Sequence, residues 1–293
     1  MVRSRKKAKK TLKKMKLPAI ELYKFASEYL EKNGVLESNL EAKYIVSSVL
    51  GVSFSDIFLD KSISCRARDF RKIKRLLKQR TNGKPLQYVL KEQEFFGLRF
   101  YVDKRVLIPR SETELLVEKA LEISKEFVKP KILDLCTGSG CIAVAIAENL
   151  DSALITASDI SGKALRVAKK NARANGSNIR FYRSDLLKSI RAKFDIIVTN
   201  PPYINSRDYN ELERKIIDFE PKNALDGGED GADYIRKIVS QVNKKLFDGG
   251  YLVMEIGYDQ KTLVSEFLKQ NGYRNIKSFS DYSGFDRIVM ARK

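Results

Sequence analysis

Asp134-Leu135-Cys136-Thr137-Gly138-Ser139-Gly140 joins an aliphatic run, residues 131–136, to an apolar helical stretch, residues 141–148. Glycines at a strand-to-helix turn let the backbone approach a ligand and set a helix N-terminus against it. Residues 138–143 also fit the dinucleotide fingerprint with Ala143 in last place, which alone is weak evidence. Outward from this turn the chain alternates. Residues 153–159, 179–185, 194–200 and 251–256 are short runs rich in Ile, Leu and Val, and helical stretches at 162–174, 232–246 and 260–270 separate most of them. Such alternation predicts an α/β fold, a doubly wound parallel sheet covered on both faces. Residues 287–291 form a last strand, placed to pair antiparallel with its predecessor.

Three acids follow the strand ends. Asp134 lies inside the first strand, where a carboxylate can meet the ammonium of a bound amino acid. Asp159 ends the next, suited to both hydroxyls of a ribose, and Asp185 ends the third, suited to an adenine amino group with Leu186 packing near the ring. The carboxyl edge of an open α/β sheet is where ligands bind. A carboxylate-lined pocket suits a sulfonium cofactor, S-adenosyl-L-methionine, better than a pyrophosphate. Each Asp alone is equally a helix cap or turn residue, but three in register are not explained that way. The spacing resembles the class I S-adenosylmethionine methyltransferases. The cofactor set so read is Asp134, Cys136, Thr137, Gly138, Ser139, Gly140, Asp159, Asp185, Leu186 and Asn200. Cys136 stands where that family often has its first loop glycine.

The fourth strand delivers Asn200-Pro201-Pro202-Tyr203, read as the catalytic and substrate-binding residues. Two prolines end the strand and stiffen the backbone. The Pro201 carbonyl and the Asn200 side-chain oxygen are acceptors that together can take both hydrogens of an NH2 group. Tyr203 supplies an aromatic face for a planar group. A turn closing a strand explains Pro-Pro, but neither the Asn before it nor the Tyr after it. An amide nitrogen is a poor nucleophile because its lone pair is delocalised, so positioning has to contribute much of the rate, on the order of 7–11 kcal/mol.

Composition narrows the chemistry. The 293 residues contain no histidine, so no imidazole serves as base, shuttle or metal ligand. Three cysteines, Cys65, Cys136 and Cys141, form no Cys-x-x-Cys pair, which argues against zinc and disulfide frameworks; Cys136 and Cys141 read as packing residues. No metal site is expected. No apolar run approaches the roughly 20 residues of a membrane span, and the start lacks a secretory apolar core; a cytoplasmic protein is the expectation. The net charge is +19, and nine cations without an acid lie in residues 1–16. Such a block reads as a solvated tail. The basic surface that remains is equally compatible with contact to nucleic acid, the ribosome or an acidic partner and with plain solubility.

Asn-Pro-Pro-Tyr on a class I fold marks amino-group methyltransferases, including adenine-N6 enzymes of DNA and RNA. Further motifs choose among them: Pro85-Leu86-Gln87-Tyr88, Glu94-Phe95-Phe96-Gly97, Val106-Leu107-Ile108-Pro109-Arg110-Ser111-Glu112-Thr113-Glu114, Glu220-Pro221, Ala224-Leu225, Gly227-Gly228-Glu229-Asp230-Gly231 and Met254-Glu255-Ile256-Gly257. With these the chain closely resembles the release-factor glutamine methyltransferases (the HemK/PrmC family), from about residue 18 to the C-terminus. Ser111 replaces a proline usual in that family. The resemblance implies transfer of a methyl group to N5 of the glutamine in the Gly-Gly-Gln motif of peptide chain release factors. It further implies that Asn200 and Pro201 grip that amide, Tyr203 packs beside it, and the helical N-terminal domain holds the release factor. Residues 107–110 would wall the cofactor pocket. Arg110 would orient the cofactor carboxylate or pair with Glu112 or Glu114, and residues 227–231 read as a mobile lid or a plain connecting loop. The organisation expected is a disordered basic tail (1–17), a helical substrate-recognition domain (18–90), a β-hairpin linker (91–110) whose turn falls at Asp103-Lys104, and a methyltransferase domain (111–293). An adenine-N6 methyltransferase is the rival, disfavoured by the lack of a separate target-recognition region.

Overall fold

The computed structural model describes residues 17–60 and 62–293. Residues 1–16 of the expected tail lie outside the described residues; Leu17, also assigned to that tail, pairs with Cys65 in a two-residue ladder, β1 (Leu17–Pro18) with β2 (Ser64–Cys65). The chain divides into two compact units, one ending at Leu90 and one running from Lys91 to Lys293.

The first unit is helical: Ala19–Lys32, Ser38–Leu50, Phe54–Leu59, Ala67–Thr81 and Leu86–Leu90. Apolar residues at helical spacing give each long helix a buried stripe, and Leu22, Leu30, Ile45, Ile73 and Leu77 meet in one core. Gly51 ends the second helix in a left-handed conformation, φ 69°, as a C-terminal glycine does.

In the second unit β3 (Gln93–Phe95) and β4 (Leu98–Phe100) form a hairpin. It reverses at Phe96-Gly97, both at positive φ, and not at Asp103-Lys104. Gly97 accepts that backbone without strain, whereas the Asp103 carboxylate is engaged by the Tyr101 hydroxyl and the Arg105 guanidinium. Phe95 and Phe100 are buried in the core of this unit.

The main sheet has seven strands in the order β10-β11-β9-β8-β5-β6-β7. β5 (Lys131–Leu135), β6 (Leu154–Asp159), β7 (Arg180–Arg183), β8 (Phe194–Thr199) and β9 (Leu246–Glu255) run parallel, and β11 (Asp286–Arg292) lies antiparallel between β9 and β10 (Arg274–Ser280). Period-two alternation sends neighbouring apolar residues to opposite faces. Ile132, Ile196, Val198, Val253 and Ile288 face the helices Glu114–Ser124 and Cys141–Asn149. Leu133, Ile197, Leu252 and Val289 face Asp233–Val242 and Lys261–Gln270. The expected doubly wound sheet is present. From β5 the chain winds out through β6 and β7, then returns to β8 on the other side of β5, so strand order reverses between β5 and β8. A crevice opens at the carboxyl ends there.

Candidate active site

Beyond β5 the backbone makes three left-handed residues in five: Cys136 (φ 64°), Gly138 (φ 54°) and Gly140 (φ 82°). Gly140 has a second reason to be glycine, since a Cβ there would stand 3.0 Å from the Cβ of Ala168. Cys136 adopts a glycine-like backbone at a cost of roughly 1–2 kcal/mol. Burial pushes its thiol up to about 12, which fits packing and not nucleophilic chemistry. Fully buried Asn171 pins the loop from behind: its Nδ2 donates to the carbonyls of Ser139 (2.9 Å) and Tyr101 (3.0 Å).

Asp134 is fully buried under this loop. Its Oδ2 accepts from the Thr137 hydroxyl (2.5 Å) and from Ala143 N–H (3.1 Å), while Oδ1 has no protein partner. Burial raises its pKa to about 7, against those hydrogen bonds. Asp134 therefore lies behind the wall of the crevice, not on it. Asp159, on the wall, accepts Gly138 N–H at Oδ2 (2.9 Å) and Ser161 N–H at Oδ1 (2.8 Å). Asp185 stands two residues beyond β7, half exposed and paired with Lys188, beside the buried Leu186.

Two cavities meet at the end of β8. The larger, about 1110 Å³ with the open space at its mouth included, is lined by Thr137, Gly138, Ser139, Asp159, Asp185 and Leu186 among others, with Ile142, Ile160 and Tyr234 supplying apolar surface. The smaller, about 580 Å³, is lined by Pro201, Tyr203, Ile204, Leu212, Ile216, Leu225 and Glu255. Leu107, Arg110, Asn200 and Ala224 line both. Of the expected residues, Gly140 and Asp134 line neither; Pro202 lines the larger only, and Pro201 and Tyr203 the smaller only.

Asn200 sits on the boundary. Its Nδ2 donates to Thr113 Oγ1 (3.2 Å), so the donor half of the amide is used and Oδ1 is left as an acceptor. Arg110 pairs neither with Glu112 nor with Glu114: its Nη2 donates to the buried Glu220 (2.5 Å), which also accepts Ile108 N–H (3.1 Å). Glu220 thereby fixes the wall common to both cavities. Residues 227–231 are packed against the backbone of residues 202–206, as a connecting loop. Gly227 N–H donates to Ile204 O (2.7 Å), Ser206 N–H to Gly228 O (2.9 Å), and Gln260 Nε2 to Tyr203 O (3.0 Å). A Cβ on Gly227 would meet Gly231 O at 2.6 Å, Tyr203 Cα at 2.8 Å and Pro202 O at 2.9 Å.

Tyr203 donates its hydroxyl to Glu255 Oε1 (3.1 Å). Burial pushes both groups up, Glu255 to about 7. Sequence reading passes over Thr113, Asn171, Glu220 and Glu255 as individual side chains. Only Glu255 carries a local signal, an acid closing an otherwise apolar strand end, Leu252-Val253-Met254-Glu255-Ile256.

The residues present fit S-adenosylmethionine. An acid faces the crevice from the ends of two neighbouring strands, apolar side chains lie between them, and the buried, unpartnered oxygen of Asp134 is suited to a cationic group. Among the described residues no cluster of His, Cys, Asp or Glu is arranged to hold a metal ion, and no helix is long and apolar enough to cross a membrane.

The methyltransferase small domain family matches residues 111–230, and the PrmC N-terminal domain family matches residues 21–90. The chain is 38% identical over 278 residues to a release factor glutamine methyltransferase of Fusobacterium nucleatum, covering 94% of this chain and 78% of that one. A protein of the same name from Geobacter sulfurreducens is 35% identical over 265 residues, 90% of this chain and 93% of that one. A methyltransferase from Pyrococcus furiosus shares the fold, with a TM-score of 0.50 at 19% identity over 68% of this chain and 90% of that one. This similarity, spanning both units, means that the chain belongs to the release factor glutamine methyltransferase family.

Proposed function

We propose that this chain transfers a methyl group from S-adenosylmethionine to the side-chain amide nitrogen of the glutamine in the Gly-Gly-Gln motif of peptide chain release factors. The observation that carries this reading is the junction of the two cavities at Asn200, with its amide anchored so that an acceptor is presented. The cofactor supplies an electrophilic methyl on a sulfonium. The larger cavity holds it against Gly138, Ser139, Asp159, Asp185 and Leu186, with Asp134 answering positive charge from behind Thr137. The smaller cavity takes the glutamine side chain.

There Asn200 Oδ1 and the Pro201 carbonyl accept the two N–H bonds of the amide, and Tyr203 packs against its plane. Holding both hydrogens favours a pyramidal nitrogen and aims its lone pair across the boundary. Pro201 and Pro202 keep the two acceptors at fixed separation, which places the contribution in positioning. Apolar Leu107, Ile204, Leu212, Ile216 and Leu225 exclude water around the amide. No base is needed before transfer, because the nitrogen becomes acidic only as its new bond forms. The helical unit is assigned to recognition of the release factor.

The test is intact-mass spectrometry of a purified release factor incubated with this protein and S-adenosylmethionine, beside a variant with the Gly-Gly-Gln glutamine replaced. Gain of one methyl on the unaltered factor alone is expected. No gain with cofactor still bound overturns the reading in favour of adenine in nucleic acid.

A further inference from the structure

The methylated amide leaves the reaction carrying one proton too many, and something in the smaller cavity has to take it. The chain has no histidine, and the thiol of Cys136 on the neighbouring wall is held protonated by burial. Among the residues lining the smaller cavity Glu255 is the one carboxylate. The register of β8 and β9 pairs Thr199 with Met254, so the chain leaves the two neighbouring strands at Asn200 and Glu255. Glu255 is 2% exposed; one oxygen accepts from Tyr203, and the other, Oε2, has no partner in hydrogen-bonding geometry, although the Thr113 hydroxyl is close enough to act on the carboxyl. A buried carboxylate oxygen without a partner calls for an explanation in chemistry.

The geometry points to Glu255 as the proton acceptor of the reaction, receiving through Oε2 the proton that the glutamine nitrogen sheds as it is methylated. This rests on the function proposed above. The nitrogen–carbon bond forms while the carbon–sulfur bond breaks with its electron pair left on sulfur. The amide nitrogen, now cationic, turns one N–H from its carbonyl acceptor on Pro201 toward Oε2 and loses it; the bonding pair stays on nitrogen and the proton passes to the carboxylate. Glu255 returns it to water when the product leaves. Tyr203, already donating to Oε1, leaves Oε2 as the receiving atom. The groups facing Glu255 are the Tyr203 hydroxyl after β8, Thr113 and Glu112 on the turn Ser111–Thr113, and Arg287 on β11, itself paired with Asp281. Burial holds Glu255 near neutrality despite Thr113, Tyr203 and Arg287, which pull the other way. It is therefore ionised, and able to accept, above about pH 7.

The test is single-turnover methylation of a release factor between pH 6 and 9 by wild type and Glu255→Gln. The wild-type rate is expected to rise with pH through about 7 and level off. The Gln variant, which still accepts from Tyr203, should be slower on the order of 10²-fold with no rise. A rise that persists in Glu255→Gln overturns the assignment, and a uniform slowing with that rise intact would make Glu255 a positioning residue only. A second readout needs no turnover: the pH dependence of thermal unfolding of the cofactor-free protein should fall by about half in Glu255→Gln, the remainder being that of Asp134. If that variant does not fold, Tyr203→Phe serves, since losing the donor to Oε1 should move the midpoint of the rise upward; an unmoved midpoint overturns the proposal. Wild type that methylates no release factor defeats the proposed function instead.

Discussion

Gly227→Ala adds one methyl group that touches neither cavity, yet it should cripple transfer. The new Cβ would stand 2.6–2.9 Å from three backbone atoms, Gly231 O, Tyr203 Cα and Pro202 O. None of these is the end of a flexible side chain, so relief requires the catalytic loop to move by roughly half an ångström, at about 1–3 kcal/mol of stability. Gly227 N–H is also tied to Ile204 O at 2.7 Å, which couples the two segments in both directions. A misplacement of about 1 Å costs on the order of 10²-fold in rate, so kcat/KM should fall about 10- to 100-fold. Cofactor affinity should change by less than about threefold, because Gly138, Asp159 and Leu186 lie at or beyond the ends of other strands. The assay is methyl transfer to a release factor alongside calorimetric titration of the cofactor, with the exposed Glu229→Ala in the same loop as a control. Transfer within twofold of wild type, despite lowered thermal stability, would refute the claim that this loop sets the position of Asn200–Tyr203.

Asn200→Ala removes the acceptor that sits between the cavities; transfer should drop at least about 10²-fold with cofactor binding retained, as read by activity and titration together. Glu220→Ala strips Ile108 N–H and the Arg110 guanidinium of their acceptor. Denaturant unfolding should report a loss of about 1–3 kcal/mol, and calorimetry a weaker affinity for cofactor. Asp134 and Glu255 are raised from 3.8 and 4.5 to about 7. Between pH 5 and 7 the folded protein thus binds these protons more tightly than the unfolded chain does. Stability of the cofactor-free protein should accordingly fall as pH rises through that window, by up to about 1.4 kcal/mol per pH unit for each group. Melting temperatures measured at intervals from pH 5 to 8 check this, and a rise over the window would contradict it.

The parallel core was legible because β5, β6, β8 and β9 carry apolar residues on both faces. Edge strand β10 escaped notice: Arg-Asn-Ile-Lys-Ser-Phe-Ser is mostly exposed and polar, so burial leaves little imprint on it. The hairpin turn was misplaced because Asp103-Lys104 looks like turn chemistry, while Phe96-Gly97 hides its glycine behind an aromatic. Sequence pattern brought Asn200, Asp159 and the glycine loop to one edge correctly. It set Asp134 on the cavity wall, because alternation says which face a residue takes but not that Thr137 and Ala143 would fold over its carboxylate. Partners far apart in the chain leave no local trace. Of the two roles open to Arg110, orienting the cofactor carboxylate or pairing with nearby Glu112 or Glu114, the pairing falls elsewhere, on an acceptor 110 residues on.

That separation has a consequence for the order in which the molecule is made. A nascent chain that has passed Leu186, just beyond β7, already carries the glycine loop and Asp159, but Arg110 and Ile108 lack their acceptor until Glu220 has been polymerised. At about 5–20 residues per second the interval is of the order of seconds, during which half of the common wall has nothing to close against. Contacts of such long range form late. The cofactor cavity is thus completed only when the segment after β8 exists, and the smaller cavity later still, when β9 delivers Glu255.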